Sequence, residues 1–461
     1  FGLLLGLVLV AGACDWSSVG FDASRSSYSA FDTKLTPANV VGLTQRWKAN
    51  AGNQSSAPVV ADGRLFVTNQ YVENVHPGSL LAYDATGATC TGAAPATCTP
   101  VWSKGFPVQD GFSSDPQWSP PISSPLVTPD FVSAGGFFHG NVYVGGGYIH
   151  AGDYAGGSFD LATGAAVTGQ LRTGAAPATA AQGAVYGYRT ELYTYGSVLY
   201  RSYYDITRLF ATVPSGQGKS FVIDGPDPNQ LGSPREFVGS APAVADHRLV
   251  VLSAGQLQTY DADGMQNCAD PKSSGLQDRN TLPTTVWSCR PLWTATLGQP
   301  GAFDGMPAVA KGRVYVPELN GGVEVFDAAG CGQPTCNRLW TAHAGSVHVA
   351  PVAVTDTTLF VTSDDGHLYA FPSAGCGAAT CEPIWTASIP GPHAPSVAGS
   401  VLFVGTNSGT LAAFDTHGCG QATCTPLWTT NVGAPISTAP AISDGRVFVT
   451  DTTGTIHAYG L

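Results

Sequence analysis

Three polar residues stand at corresponding places in successive segments of the chain and are candidates for a ligand site. Asp304, His348 and His393 each lie just before a proline that opens a short apolar run. Carboxylates and imidazoles are common metal ligands, so the three side chains could together bind a metal ion or a small ligand. Three solvated loop residues would give the same pattern, and both interpretations stay open.

A second candidate for chemistry is the pair Glu318 and Asn320 in the run PELNGG. A carboxylate and an amide two residues apart can both offer oxygen atoms, which are the ligands that Ca²⁺ prefers. An ordinary hairpin turn also uses Asn and Gly at these places. The sequence therefore gives a weak indication of a calcium site beside a simpler structural explanation.

Cysteine spacing is the most regular chemical signal in the chain. The chain has 11 cysteines, and all but Cys14 fall into five local pairs. Each pair lies between an apolar run and a run that contains tryptophan. Zinc is the alternative, but it would need ligands brought together from separate repeats. We predict five disulfides and hence an oxidising compartment. The predicted pairs are Cys90 with Cys98, Cys268 with Cys289, Cys331 with Cys336, Cys376 with Cys381, and Cys419 with Cys424.

The elements that must position these residues are short β-strands in a repeat. Residues 350–389 hold the runs APVAV, TLFVTS and HLYAF, then a cysteine-bracketed loop and a run ending near Trp385. Prolines that open equivalent runs are spaced by 44, 44 and 45 residues, at Pro307, Pro351, Pro395 and Pro440. Four strands in a unit of this length are typical of a β-propeller blade, and the runs lack helical periodicity. We predict an all-β propeller of four-stranded antiparallel blades.

The two ends of the repeat array are complementary. The last unit stops after three strands, whereas the run that contains Trp47 precedes the first complete unit. We therefore predict that the N-terminal strand completes the C-terminal blade, so that residues 14–461 form one domain with 14–50 as lead-in and closure strand. Counting units gives eight blades, or seven if the third, before Pro242, is only an insertion.

Residues 1–13 are apolar and end in small residues, which is typical of a signal peptide whose start is missing. Cys14 follows directly, so we expect it to be lipidated, with ordinary cleavage after Ala13 as the alternative. The net charge of −12 argues against nucleic acid or an anionic membrane surface as partner. We expect an extracytoplasmic protein, secreted or lipid-anchored at a bacterial cell envelope, that contacts a membrane only through that anchor.

The pattern APxVxDGRxFVxxxxGxLxAxDxxG followed by LW, with a leading LTPANVxGLxxRW, resembles the PQQ-like propeller superfamily over nearly the whole chain. This resemblance implies eight blades and either of two functions, since the group includes quinoprotein dehydrogenases and the lipoprotein of the outer-membrane assembly machinery. The dehydrogenases hold PQQ and Ca²⁺ with the help of adjacent cysteines, and no adjacent pair exists here. The aspartates before glycine in the repeat are predicted to cap turns; they are Asp84, Asp261, Asp327 and Asp415.

Blades one to three depart from the repeat through long insertions rich in glycine and aromatic residues. Loops on a rigid scaffold commonly carry binding function, although these aromatics could instead fill widened blades. The candidate contact residues are Trp118, Phe137, Phe138, Tyr148 and Tyr154. We predict a monomeric, non-catalytic binding or scaffold module for a protein or carbohydrate partner, without a cofactor. The alternative is a PQQ-dependent alcohol or polyol dehydrogenase with a divergent site.

Overall fold

The computed structural model describes most of the chain after the apolar N-terminus. The described residues are 15–52, 55–69, 78–105, 124–127, 132–144, 147–163, 165, 179–181, 184–195, 202–212, 220–223, 241–253, 255–263, 266–269, 286–298, 306–345 and 350–461. None of the helices in these ranges is long and apolar enough to span a bilayer.

Almost all regular structure in the described residues is β-strand, together with one short 3-10 helix at Val40–Gly42. The first strands are β1 (Tyr28–Ser29), β2 (Thr44–Asn50), β3 (Val59–Ala61), β4 (Arg64–Asn69), β5 (Ser79–Asp84), β6 (Ala96–Thr97), β7 (Trp102–Gly105), β8 (Leu126–Val127), β9 (Val132–Val144), β10 (Gly147–Phe159), β11 (Thr179–Ala181), β12 (Ala184–Tyr195), β13 (Ser202–Thr212), β14 (Ser220–Ile223), β15 (Ala243–Ala245), β16 (Arg248–Ser253), β17 (Gln256–Asp261) and β18 (Cys268–Ala269). The remaining strands are β19 (Val286–Cys289), β20 (Trp293–Thr296), β21 (Ala308–Ala310), β22 (Arg313–Pro317), β23 (Gly322–Asp327), β24 (Trp340–His343), β25 (Ala353–Val354), β26 (Thr358–Ser363), β27 (His367–Pro372), β28 (Thr380–Cys381), β29 (Trp385–Ser388), β30 (Ser396–Ala398), β31 (Val401–Gly405), β32 (Thr410–Asp415), β33 (Trp428–Asn431), β34 (Ala441–Ser443), β35 (Arg446–Thr450) and β36 (Thr455–Gly460).

The described strands form eight sheets, which confirms the prediction of an all-β propeller. Blades 1 to 4 are built on β3-β4-β5-β7, β8-β9-β10, β11-β12-β13-β14 and β15-β16-β17-β20. Blades 5 to 8 are built on β21-β22-β23-β24, β25-β26-β27-β29, β30-β31-β32-β33 and β34-β35-β36-β2. The region between Pro125 and Pro242 therefore supplies two sheets, which favours eight blades over seven. In each blade we call the first strand inner and the fourth outer.

The strand predicted to close the array does so. Strand β2 pairs antiparallel with β36, with Thr44 opposite Gly460 and Asn50 opposite Thr455. Inner strand β3 of blade 1 contacts β34 of blade 8, so the first and last blades are neighbours. Pairing of this kind joins an N-terminal strand to the last blade and covers an exposed strand edge.

The apolar core lies between neighbouring blades. One cluster of buried side chains joins blades 5 and 6, and another joins blades 6 and 7, where Ala353 packs in the same group as Val397. The tryptophan that opens most outer strands is part of this core, as in Trp340, which is 4% exposed. The repeated tryptophans thus pack one blade on the next, as the sequence predicted.

The turns define two ends of the ring. At what we call the turn end, the chain passes from inner to second strands, as at residues 62–63 of blade 1 and 444–445 of blade 8. At the hairpin end it passes from second to third strands, as at residues 364–366 of blade 6. The aspartates predicted to cap turns after the third strand do so, and Asp415 Oδ1 accepts a hydrogen bond from the His417 N–H at 2.9 Å.

All five predicted disulfides are present, but they do more than pin their own blade. The loop closed by Cys376 and Cys381 carries β28, which pairs parallel with β24 of the preceding blade. The Cys90 to Cys98 loop reaches β2 of blade 8 in the same way through β6. We call such a loop a cap, since it lies on the outer edge of a neighbouring blade.

Residues 16–33 take a path that the repeat did not predict. Their carbonyl oxygens accept hydrogen bonds from inner-strand N–H groups of six blades, and the Asp32 carboxylate accepts one from Gly445 N in the eighth. Inner strands surround the axis of a propeller, and the contacts follow the order of the blades, so this segment runs around the axis along the inner strands. We call it the axial segment. The six inner-strand donors are Val60, Val127, Val244, Val309, Val354 and Val397.

Candidate functional site

Of the three residues predicted to form a ligand cluster, His393 lies in the described part of the chain, whereas Asp304 and His348 lie outside it. His393 is half-buried at the hairpin end, where its backbone N–H donates to Gly405 O at 2.9 Å. Its Nε2 is 2.8 Å from Asn407 Oδ1. The imidazole, in the linker between blades 6 and 7, is therefore tied to the hairpin between β31 and β32 of blade 7, and the three-residue cluster stays a prediction.

The two residues of the predicted calcium pair come together within one hairpin. Asn320 Nδ2 donates to Glu318 Oε2 at 3.2 Å, and Asn320 Oδ1 accepts from Gly322 N at 3.1 Å. The other carboxylate oxygen of Glu318 accepts from Gly298 N at 3.0 Å. These contacts form a closed hairpin, and the calcium site stays a prediction. Within the described ranges, no three His, Cys, Asp or Glu side chains cluster as metal ligands.

Beside this hairpin lies a buried glutamate that the sequence did not single out. Glu324 is 4% exposed, and its Oε1 accepts a hydrogen bond from Arg338 Nη1 at 2.7 Å. Burial and the nearby Glu318 raise the pKa of Glu324 to about 7, against the opposing effect of Arg338. The pair is suited to holding a proton at the hairpin end of blade 5.

A second buried polar network joins the closure strand to blade 8. His457 Nε2 is 2.9 Å from Asp451 Oδ2, and His457 Nδ1 is 2.9 Å from Gln45 Nε2. Burial acts to raise the pKa of Asp451, but hydrogen bonds from Thr453, His457 and Thr455 outweigh it and hold that pKa below its usual value. Because Asp451 and His457 are both buried, this pair positions β2 rather than meeting a ligand.

The predicted partner surface maps onto a long hairpin in blade 2. Phe137 and Phe138 lie on β9, and Tyr148 and Tyr154 lie on β10, with Phe137 opposite Tyr154 in the register. Trp118 lies outside the described residues. Each of the two strands has 13 residues, so this insertion extends the sheet itself instead of forming an irregular loop.

At the turn end the axial segment lies along the inner strands that surround the axis. Arg25 is 2% exposed, and its guanidinium donates to Pro242 O and Val19 O, both at 2.7 Å. The ten paired cysteines lie in caps on the outer edges of blades, away from the axis. No two cysteines of the chain are adjacent. The described residues at this end do not fit a quinone held by adjacent cysteines.

Comparisons with known proteins agree with this architecture. The family model of outer membrane protein assembly factor BamB matches residues 329–422 and 374–460. No curated protein sequence matches the chain significantly.

Solved structures extend the likeness to nearly the whole chain. BamB from Moraxella catarrhalis aligns with a TM-score of 0.50 at 13% identity, covering 91% of this chain and 98% of that one. Quinohemoprotein alcohol dehydrogenase from Comamonas testosteroni aligns with a TM-score of 0.55 at 13% identity, covering 97% of this chain and 80% of that one. A europium-containing methanol dehydrogenase aligns with a TM-score of 0.54 at 11% identity, covering 97% of this chain and 98% of that one. The chain has a PQQ-like β-propeller fold, and a likeness at such identity is a likeness of fold.

Proposed function

We propose that the chain is an extracytoplasmic, non-catalytic binding or scaffold module whose partner is a protein or, as the second possibility, a carbohydrate. The observation that carries this proposal is the axial segment. It lines the inner strands of six blades with the chain's own backbone, which is hydrogen-bonded to them. A propeller whose inner strands are lined in this way offers its ends, hairpins and outer edges to a partner.

The polar side chains at the described ends support the same proposal. Glu318 and Asn320 bond to each other and to the backbone N–H groups of Gly298 and Gly322, and His393 contacts Asn407. Catalytic groups need a free face toward a substrate, whereas these side chains are engaged in contacts within the fold. The match of residues 329–460 to an assembly factor's family model adds support for a protein as partner.

The extended hairpin of blade 2 is our first choice for a contact surface. Phe137, Phe138, Tyr148 and Tyr154 lie on its two strands, and Trp118 belongs to the preceding insertion. Aromatic residues are enriched in interfaces with proteins, and they also stack on sugars. We propose that these five residues contact the partner.

The five disulfides support an extracytoplasmic location. We propose further that Cys14 carries a lipid anchor. Asp15, the next residue, lies at the turn end, where its Oδ2 accepts from Asp62 N at 3.3 Å. An anchor there would leave the hairpin end directed away from the membrane. The intact mass of the mature protein tests the anchor, since an N-terminal Cys14 without added acyl mass rules it out.

The experiment that separates this proposal from a PQQ-dependent dehydrogenase is an activity assay. Purified protein is incubated with PQQ and Ca²⁺, and dye reduction is followed with alcohols and polyols. We expect no reduction above the rate of free PQQ and Ca²⁺ without protein. Substrate-dependent, saturable dye reduction that requires the protein would overturn the proposal.

A further inference from the structure

Two apolar side chains are exposed near the end of the axial segment and on the 3-10 helix before closure strand β2. Phe31 is 67% exposed and Val41 is 62% exposed, more than any other large apolar side chain in the described ranges. The chain around them is fixed, because Leu35 and Val40 are at most 1% exposed and pack in the core cluster that includes blade 8. The fold therefore holds both side chains out from its surface.

Both residues lie at the turn end of blade 8. Phe31 comes directly before Asp32, whose Oδ2 accepts a hydrogen bond from Gly445 N at 3.1 Å in the turn between β34 and β35. Val41 comes just before β2, whose first residue pairs with Gly460 at the end of β36. Third strands end at the turn end, so β2 begins there. The two side chains are thus at the same end of one blade.

Blade 8 also departs from the repeat in the charges of this end. In three other blades, the arginine that begins the second strand lies opposite an aspartate that ends the third; the pairs are Arg64 with Asp84, Arg248 with Asp261 and Arg313 with Asp327. In blade 8, Arg446 lies opposite Gly460 instead. Arg46, where the register of β2 shifts, donates from Nε to Gly460 O at 3.1 Å. Two arginines therefore flank this glycine.

The turn end of blade 8 brings three cationic side chains together with one exposed carboxylate. Asp444 forms an ion pair with Lys34, and its Oδ2 is 3.2 Å from Arg446 Nη1. The third cation, Arg46, is exposed. The nearby Asp32 carboxylate is fully buried and accepts hydrogen bonds from backbone N–H groups. Cations beside exposed apolar side chains are typical of a surface that meets lipid headgroups.

The proposed lipid anchor leaves the fold beside this surface. Asp15, next to Cys14, accepts a hydrogen bond from Asp62 N in the turn of blade 1, and blade 1 neighbours blade 8. An acyl chain on Cys14 would enter a bilayer next to Phe31 and Val41. The carboxylates of Asp15 and Asp62 offset the cations of blade 8. A bilayer of zwitterionic phospholipids, whose phosphates accept from Lys and Arg, therefore fits better than an anionic one.

We propose that the turn end of blade 8 is a docking surface for a phospholipid bilayer. Phe31 and Val41 insert among the lipids, and the headgroup phosphates contact Lys34, Arg46 and Arg446. This contact extends beyond the lipid anchor that the sequence predicted, and its orientation rests on the proposed function, in which the hairpin end faces a partner. A protein partner fits less well here, because a protein interface needs a contiguous buried centre.

The test uses the predicted mature chain, residues 14–461, with Cys14→Ser. This change excludes the lipid and leaves every remaining cysteine in a disulfide, so one introduced cysteine can be labelled alone. An environment-sensitive nitrobenzoxadiazole label is attached to Phe31→Cys, to Val41→Cys and, as the matched control, to Leu319→Cys. Leu319 is 41% exposed and lies in a hairpin at the opposite end of the ring.

Each labelled protein is titrated with vesicles of phosphatidylethanolamine and phosphatidylcholine. We expect the emission at positions 31 and 41 to increase and to shift to shorter wavelength, and the emission at position 319 to stay unchanged. Sedimentation of unlabelled protein with the same vesicles measures the affinity. Phe31→Ser should lower the partition coefficient about tenfold, because a largely exposed aromatic ring is no longer buried in lipid. Leu319→Ser should match the parent protein, and circular dichroism checks that both variants are folded.

Three outcomes would overturn the docking surface: no shift at positions 31 and 41, an equal shift at position 319, or equal sedimentation of Phe31→Ser and its parent. Dimerisation that Phe31→Ser abolishes would show that a second copy covers this end, which also contradicts the proposal. The protein carries no lipid in these measurements. Their failure is therefore distinguishable from failure of the anchor, which the mass of the mature protein reports, and of the binding function, which the dye assay tests.

Discussion

Two buried polar residues of this propeller, Arg25 and Glu318, have hydrogen-bond partners in another blade. Arg25 donates to Pro242 O of blade 4, and Glu318 accepts from Gly298 N, which follows the outer strand of blade 4. Buried polar groups cost free energy unless they are hydrogen-bonded, so each of these contacts fixes the position of one blade against another. Glu324 differs because its environment favours the protonated form.

Glu324 should make the stability of the fold depend on pH. The pKa of Glu324 is about 7 in the folded protein and 4.5 without burial. Between pH 4.5 and pH 7 the folded state therefore binds more protons than the unfolded state. The free energy of unfolding should therefore fall as pH rises from 4.5 to 7, by about 1.4 kcal/mol for each unit of pKa difference. The variant Glu324→Gln cannot ionise and should lose this dependence.

Denaturant unfolding at pH 5 and pH 8 measures the effect. We expect Glu324→Gln to match the wild type at pH 5 and to exceed it at pH 8. Glu382→Gln, a change at an exposed glutamate, is the control and should follow the wild type at both values. The explanation fails if Glu324→Gln retains the wild-type difference between pH 5 and pH 8.

At the scale of elements, the caps explain why the cysteines repeat. A cap closed by a disulfide is short and constrained, so it can present a two-residue strand to the next blade at little entropic cost. Strand β28 does this for β24, and β6 does it for β2. The exposed edge that an open outer strand would present is thereby covered.

Removal of one disulfide should make the outer edge of one blade more mobile and leave the outer edges of the other blades unchanged. The double variant Cys376→Ser with Cys381→Ser should lose about 2 kcal/mol of stability, as expected for so short a loop. Amide hydrogen exchange should become faster at Thr341, whose N–H donates to this cap, and stay unchanged at Thr386. The variant Cys419→Ser with Cys424→Ser is the matched control and should give the reverse pattern. Equal acceleration at Thr341 and Thr386 in either variant would contradict the role of caps.

Some elements could be predicted from sequence because their residues repeat. Blades 5 to 8 share proline positions, and blades 5 to 7 also share tryptophan and cysteine positions, which predicted their strands. The spacing of the ten cysteines predicted five disulfides, and the three-stranded last unit predicted the pairing of β2 with β36. The contacts between caps and neighbouring blades were not predicted, because the spacing of cysteines along the chain does not show which sheet a loop will contact. Glu324 was missed as well, because its pKa follows from burial beside Glu318.

At the scale of the whole molecule, the ring is held in two ways. Strand β2 joins blade 8 to the chain start, and the axial segment joins seven blades through their inner strands and turns. The axial segment could not be predicted from the sequence. Residues 16–33 have no apolar period, and the groups that bind the inner strands are mostly main-chain carbonyls, which every residue offers. A polar stretch before a closed repeat array is the signal that would have suggested it.

The axial segment and the caps are the basis of our proposal of a binding module without a cofactor. The axial segment lines the inner strands at the turn end, and all ten paired cysteines lie on outer edges of blades, so the described residues at the turn end supply no adjacent cysteines to hold a quinone.

Native mass spectrometry of the purified protein after incubation with PQQ and Ca²⁺ tests this central claim most directly. We predict the mass of the polypeptide with five disulfides and any N-terminal lipid, with no PQQ adduct that survives buffer exchange. A stoichiometric complex with PQQ and Ca²⁺ would contradict the claim and place the chain among the quinone-binding propellers.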